Sequence, residues 1–125
     1  MKKLLIALTI ALLTISIPVK ADTQFYTAKA TAYCLKGKTA TGTYVTEGRT
    51  VAGKPEWFGK TMILYEDSGD GLIKSENYIG TYIVEDTGSK SIREGKVIDV
   101  YIEDYTRAKQ FGSKDVIFVL IDAEG

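Results

Sequence analysis

Lys96-Val97-Ile98-Asp99-Val100-Tyr101-Ile102 decides how the rest of the chain is read. It is a run of β-branched and aromatic residues without Gly or Pro, the composition of a strand. Side chains alternate between faces along a strand, so Ile98, Val100 and Ile102 share the natural core face. Val97, Asp99 and Tyr101 share the other. An aspartate set between a valine and a tyrosine on its own face is partly desolvated, which suits a general acid. The same pattern is met by an exposed aspartate on a half-buried strand, and periodicity alone leaves both readings open.

Four further segments read as strands. Phe25-Tyr-Thr-Ala-Lys-Ala-Thr-Ala-Tyr33 is rich in Thr and Tyr; Thr61-Met-Ile-Leu-Tyr65 and Gly80-Thr-Tyr-Ile-Val-Glu85 follow. Asp115-Val-Ile-Phe-Val-Leu-Ile121 is apolar on both faces, the mark of a buried strand. Asp104-Tyr-Thr-Arg-Ala-Lys-Gln-Phe111 has helical spacing, with Tyr105, Ala108 and Phe111 or its neighbour on one face and Gly112 as its stop. Ser68-Gly-Asp-Gly71 has the composition of a hairpin turn. The Asp67 and Asp70 pair there misses the spacing of an EF-hand, so a solvated turn is preferred to a calcium loop. Asp86 follows a strand and opens Thr87-Gly88, where an aspartate commonly bonds its own backbone. There is no internal repeat, low-complexity tract or linker. One small barrel with one short helix fits.

Composition narrows the chemistry. The 125 residues carry 16 basic and 16 acidic side chains, no histidine and one cysteine, enough for one domain. Without histidine, neither a Ser-His-Asp nor a Cys-His site can be built, nor a His-containing zinc site. Cys34 has no partner for an internal disulfide. It reads as a small buried hydrophobe, or as a free thiol without a histidine to activate it.

Residues 1–21 have the form of an export signal. Met1-Lys2-Lys3 is positive, Leu4 to Ile17 is apolar apart from Thr and Ser, and Val19-Lys20-Ala21 offers small residues at the −3 and −1 positions. The apolar run falls short of the about 20 residues of a membrane span, so a cleaved signal is expected rather than an anchor. Cleavage after Ala21 leaves residues 22–125, with 13 basic against 16 acidic side chains. An acidic exported domain is not suited to phosphate backbones, which sets nucleic acid aside.

Six pieces in order carry a resemblance: Ala30-Thr-Ala-Tyr33, Thr39-Ala-Thr-Gly42, Gly48-Arg-Thr-Val-Ala52, Glu85-Asp-Thr-Gly88, Gly95-Lys-Val-Ile-Asp-Val-Tyr101 and Ala108-Lys-Gln-Phe-Gly112. Over residues 28–122 the chain resembles the three-aspartate (3D) domain. This domain is shared by the catalytic part of membrane-bound lytic transglycosylase A and by secreted cell-wall proteins of Gram-positive bacteria. The resemblance implies a mainly β fold, a six-stranded double-psi β-barrel with one short helix. It implies peptidoglycan glycan strands as the partner, a secreted and wall-associated monomer, and no cofactor; no metal ligands are assigned.

In the family, the Asp-Thr-Gly aspartate and the aspartate of the Ile-Asp-Val strand line the substrate cleft, the second being the proposed catalytic group. These roles fall on Asp86 and Asp99. A lytic transglycosylase needs one acid, because the muramyl sugar's own 6-hydroxyl attacks the anomeric carbon in place of water. Asp99 is then the acid/base and Asp86 the group that sets its proton affinity or holds the sugar. Thr41, Tyr33, Trp57 and Tyr101 are the expected substrate contacts, while Tyr33 and Trp57 also suit a small barrel's core.

The chain departs from the family at Ala52-Gly53-Lys54-Pro55, where members often read Ala-Val-Asp-Pro, and Ser89 to Glu94 forms a slightly longer loop. The missing aspartate keeps a second function open, a non-catalytic, expansin-like module that binds wall polysaccharide. A thiol-based function of Cys34 is the third.

Overall fold

The computed structural model describes residues 24–122. The expected signal, residues 1–21, lies outside the described residues. The strands are β1 (Phe25–Tyr33), β2 (Thr50–Ala52), β3 (Thr61–Glu66), β4 (Tyr78–Asp86), β5 (Val97–Tyr101) and β6 (Lys114–Ile121). Two short helices, α1 (Lys90–Arg93) and α2 (Tyr105–Phe111), and two 3-10 turns complete the described residues.

The fold is mainly β, and its strands close on themselves in the order β1-β5-β2-β4-β3-β6. β1 runs parallel to β5 and β2 parallel to β4, while the other neighbours are antiparallel. Among the described residues, closure leaves no strand at an open edge of the sheet. Ala30, Val51, Met62, Leu64, Val84, Ile98, Val100 and Phe118 point inward and are almost wholly buried. β6 is buried at its centre, where the consecutive Val116, Ile117 and Phe118 are all covered. This is why its sequence shows no alternation.

Five of the six strands fall where composition places them. β2 is the addition. It has three residues, all buried, too few for a period to register. β3 and β4 pair as an antiparallel hairpin, as the Ser68–Gly71 turn requires. The connection is wider than a tight turn and includes the 3-10 turn Ser75–Asn77. Asp67 Oδ1 accepts the N–H of Gly69 at 2.9 Å and of Gly71 at 3.1 Å, so the aspartate shapes the turn.

α2 begins on Asp104, whose carboxylate accepts Arg107 N–H at 2.9 Å, and ends at Gly112 with φ +67°. Its inward face is Ala108 with half-buried Phe111; Tyr105 is turned outward and 66% exposed, against its expected place beside them. α1 occupies the loop before β5. The turn after it, at Gly95, has φ +81°, and a Cβ there would lie 2.9 Å from Lys54 Cδ and 3.2 Å from Trp57 Cη2. Only glycine fits both the backbone and the space.

Candidate functional site

Register brings the two aspartates to one place. Thr31 on β1 lies opposite Asp99 on β5, Asp99 opposite Ala52 on β2, and Ala52 opposite Asp86 on β4. Residues side by side in a sheet point to the same face. Since Ile98 and Val100 point inward, this row lies on the outer face of the barrel wall. Two strand spacings separate the aspartate backbones, about 10 Å, with only the methyl group of Ala52 between them.

Asp99 is half-buried, and Thr31 Oγ1 donates to its Oδ1 at 2.8 Å. Burial raises its proton affinity above that of an ordinary carboxylate; the Thr31 bond opposes the shift and the charge of Asp86 adds to it. Asp86 is engaged on both oxygens. Tyr33 OH donates to Oδ2 at 2.9 Å and the Ala40 N–H to Oδ1 at 3.0 Å. The Tyr33 phenol is held strongly in its neutral form, first by burial and then by this bond to a carboxylate. The two carboxyl groups thus differ in kind. Asp86 fastens two parts of the chain, whereas Thr31 is the only side-chain donor to Asp99 among the described residues.

A register shift between Val51 and Ala52 sets Asp86, rather than Glu85, opposite Ala52. The extra residue of this bulge lets Glu85 and Asp86 both reach the Thr39–Thr43 loop. Glu85 is 6% exposed and accepts from Thr43 Oγ1 at 2.8 Å, Arg49 Nε at 2.9 Å and Thr50 Oγ1 at 3.0 Å. Thr39 Oγ1 shares hydrogen bonds with Thr41 Oγ1 and Thr43 Oγ1, so the threonine hydroxyls form a chain ending on this carboxylate. Beside Asp86, Thr87 Oγ1 is buried without a hydrogen-bond partner among the described residues.

The expected contact residues separate into groups. Tyr33 joins the aspartates directly. Tyr101 packs edge-on against Tyr33 with ring centroids 5.4 Å apart and is only 3% exposed. Tyr101 thus stands in register with Asp99 as a buried ring that lines a neighbouring cleft. Thr41 is exposed on the loop, its N–H bonded to Glu85 O at 3.2 Å. Trp57 is not brought to the aspartates. It is a core residue, 7% exposed, packed edge-on against Tyr26 and Phe118 at 5.4 and 5.6 Å. An indole covered on these sides has no face to offer a sugar. Lys54 lies with its Nζ 5.5 Å from the centre of the Trp57 ring and 3.5 Å from Glu56. Cys34 is half-buried at the end of β1.

Beyond the aspartates, a cleft of about 640 Å³ is lined by Tyr101 together with Lys36, Gly37, Tyr44, Val45, Thr46, Glu47 and Glu103. Among the described residues no cluster of acidic or cysteine side chains is arranged to hold a metal ion, and no helix is long and apolar enough to cross a membrane. Sequence reading missed Thr31 and Glu85. Neither had a local signal, because their partners lie 68 and 35 to 42 positions away. No family model and no curated protein matches the chain.

Proposed function

We propose that the chain is a three-aspartate domain protein that cleaves peptidoglycan glycan strands as a lytic transglycosylase. The observation that carries the reading is Asp99, a desolvated carboxyl group on the outer barrel wall with a second carboxylate in the same row. Burial keeps its proton available at a higher pH than an exposed aspartate would allow, as a general acid needs. The two parallel pairs within an otherwise antiparallel closed barrel favour a double-psi topology.

In this reaction protonated Asp99 gives its proton to the oxygen linking the muramyl sugar to its neighbour, and the bond from that oxygen to the anomeric carbon breaks. The muramyl 6-hydroxyl oxygen bonds to the same carbon and its proton passes to the Asp99 carboxylate. One 1,6-anhydro end and one free hydroxyl result, and Asp99 is again protonated. Thr31 orients the carboxyl group. Asp86 acts through its charge on Asp99 and by holding Tyr33 and the Ala40 backbone. The protein works as a secreted, wall-associated monomer, without nucleic acid as a partner and without a cofactor.

The lysine at position 54 favours a second reading, in which the same face binds wall polysaccharide without cleaving it. Mass spectrometry of sacculi incubated with the protein or its Asp99→Asn form separates the two. Anhydro-ended muropeptides made by the wild type alone are the result expected. Reducing ends would mean a hydrolase, and unaltered sacculi that retain the protein would mean a binding module.

A further inference from the structure

The loop above the aspartates carries an aromatic side chain that the reaction does not use. Val45 N–H donates to Gly37 O at 3.0 Å, Thr39 N–H to Thr43 O at 2.6 Å, and Lys38 and Tyr44 pair as an antiparallel bridge. Glu85 fastens the same loop from below through Thr43. On this pinned hairpin the Tyr44 side chain is 65% exposed, with Lys38 Nζ 5.9 Å from the centre of its ring. Arg49 and Thr46 both donate to the Tyr44 carbonyl, at 3.2 Å each. A tyrosine fixed in place and yet left in water forgoes the burial that such a ring normally gains.

Tyr44 forms one wall of the cleft of about 640 Å³, and Tyr101 another. The opposite rim is equally fixed. Glu47 accepts Arg107 Nη1 and Nη2 at 2.7 and 2.9 Å and the Glu103 N–H at 2.9 Å. Lys36 stands 3.5 Å from Glu103 across the opening. The cleft therefore offers an aromatic ring with charged donors and acceptors around it. A pyranose, with one apolar C–H face and a rim of hydroxyl groups, matches that arrangement, and the volume suits a small ligand. Tyr101 follows Asp99 by two residues on the same strand, about 7 Å along it, so the cleft continues the line of the carboxylate by roughly one sugar ring.

We propose that this cleft is a glycan subsite, in which Tyr44 stacks on the sugar adjoining the one presented to Asp99. The inference rests on the reading of the protein as one that engages glycan strands, but it does not require cleavage.

The test uses the full chain carrying Asp99→Asn, titrated with a β-1,4-linked N-acetylglucosamine hexamer by calorimetry and amide NMR. The expected result is binding that perturbs the amides of Gly37, Tyr44, Val45 and Glu103. Tyr44→Ala in this background weakens binding about tenfold, the scale of one aromatic stacking contact, and Tyr44→Trp restores it. Because Tyr44 is exposed, the alanine variant keeps its fold, which the same spectra verify. Equal affinity after Tyr44→Ala, perturbation confined to other surfaces, or no binding each overturns the subsite. Sacculus digestion is scored separately. Anhydro products from a protein whose cleft ignores the hexamer leave the reaction standing without the subsite; cleft binding without such products supports the subsite and removes the reaction.

Discussion

Glu85 is where the structure makes its most quantitative demand. Its carboxylate is buried and accepts three side-chain hydrogen bonds, two from hydroxyl groups and one from Arg49. A hydrogen bond to a charged group contributes about 1.5–3 kcal/mol. The Arg49 side chain is 42% exposed, so its share is screened and falls toward the about 0–1 kcal/mol of a surface pair. Part of the hydroxyl contribution is offset by no longer burying a charge, which leaves Glu85→Ala destabilising by about 3–5 kcal/mol. Glu85→Gln keeps the shape and an acceptor oxygen and costs about 1.5–3 kcal/mol. For a domain of this size the alanine change lowers the melting temperature by at least about 12 °C. Thermal and urea unfolding followed by circular dichroism measure both variants. Amide exchange supplies the local readout, since Thr39, Gly42 and Val45 N–H groups should lose protection when the loop loses its anchor. If both variants stay within about 1 kcal/mol of wild type, or if those three amides keep their protection, the claim that Glu85 holds the loop is wrong.

Three further outcomes follow from the same geometry. Native Asp99 binds its proton more tightly than an unfolded aspartate of ordinary pKa 3.8, so stability falls as pH rises through the interval between the unfolded and the raised native value. Asp99→Asn should therefore melt at a higher temperature than wild type at neutral pH, with the gain vanishing below about pH 4; a variant less stable at pH 7 would contradict the burial argument. Glu47 is shifted the other way, from 4.5 down to about 2, by its bonds to Arg107 and to the Glu103 N–H. Its contribution is complete above the unfolded value and disappears as pH falls through about 2. The difference in melting temperature between wild type and Glu47→Gln should be flat above about pH 5 and shrink on acidification; a difference independent of pH would exclude the ionic clasp. Trp57→Ala should cost about 3–5 kcal/mol in urea unfolding, while Trp57→Phe, which keeps the core filled, should bind the hexamer as wild type does. Weakened binding by Trp57→Phe with an unchanged Tyr44→Ala would reverse the places given to the two aromatics.

Much of the barrel is legible because its strands state their own period. β5 is the clearest case, where alternation places Ile98 and Val100 inward and Asp99 outward before any partner is known. α2 is readable through Asp104 and Gly112, whose roles at helix ends are local. β2 is not, since three buried residues carry no period. The site is legible in its aspartates and in Tyr33, which bonds Asp86. Tyr101 has the parity of an outward residue and is buried all the same, with the Tyr33 ring packed against it, and alternation says nothing about what lies above a face. Trp57 is ambiguous alone and becomes a core residue once Tyr26 and Phe118 meet it. Glu85 looks like the end of a strand until the bulge turns it toward Thr43.

The row from Thr31 through Asp99 and Ala52 to Asp86 also governs when the site comes into being. Its members are drawn from four strands, and Thr31 and Asp99 are 68 positions apart. Contacts of such separation incur their loop-closure entropy before they return any stabilisation, so they form late and slowly. A chain with only its hairpins in place has β3 and β4 but neither a desolvated Asp99 nor a fastened Asp86. The proton affinity of Asp99 is thus acquired on completing the fold, which makes carboxyl titration during refolding a clock for the final closure of the barrel.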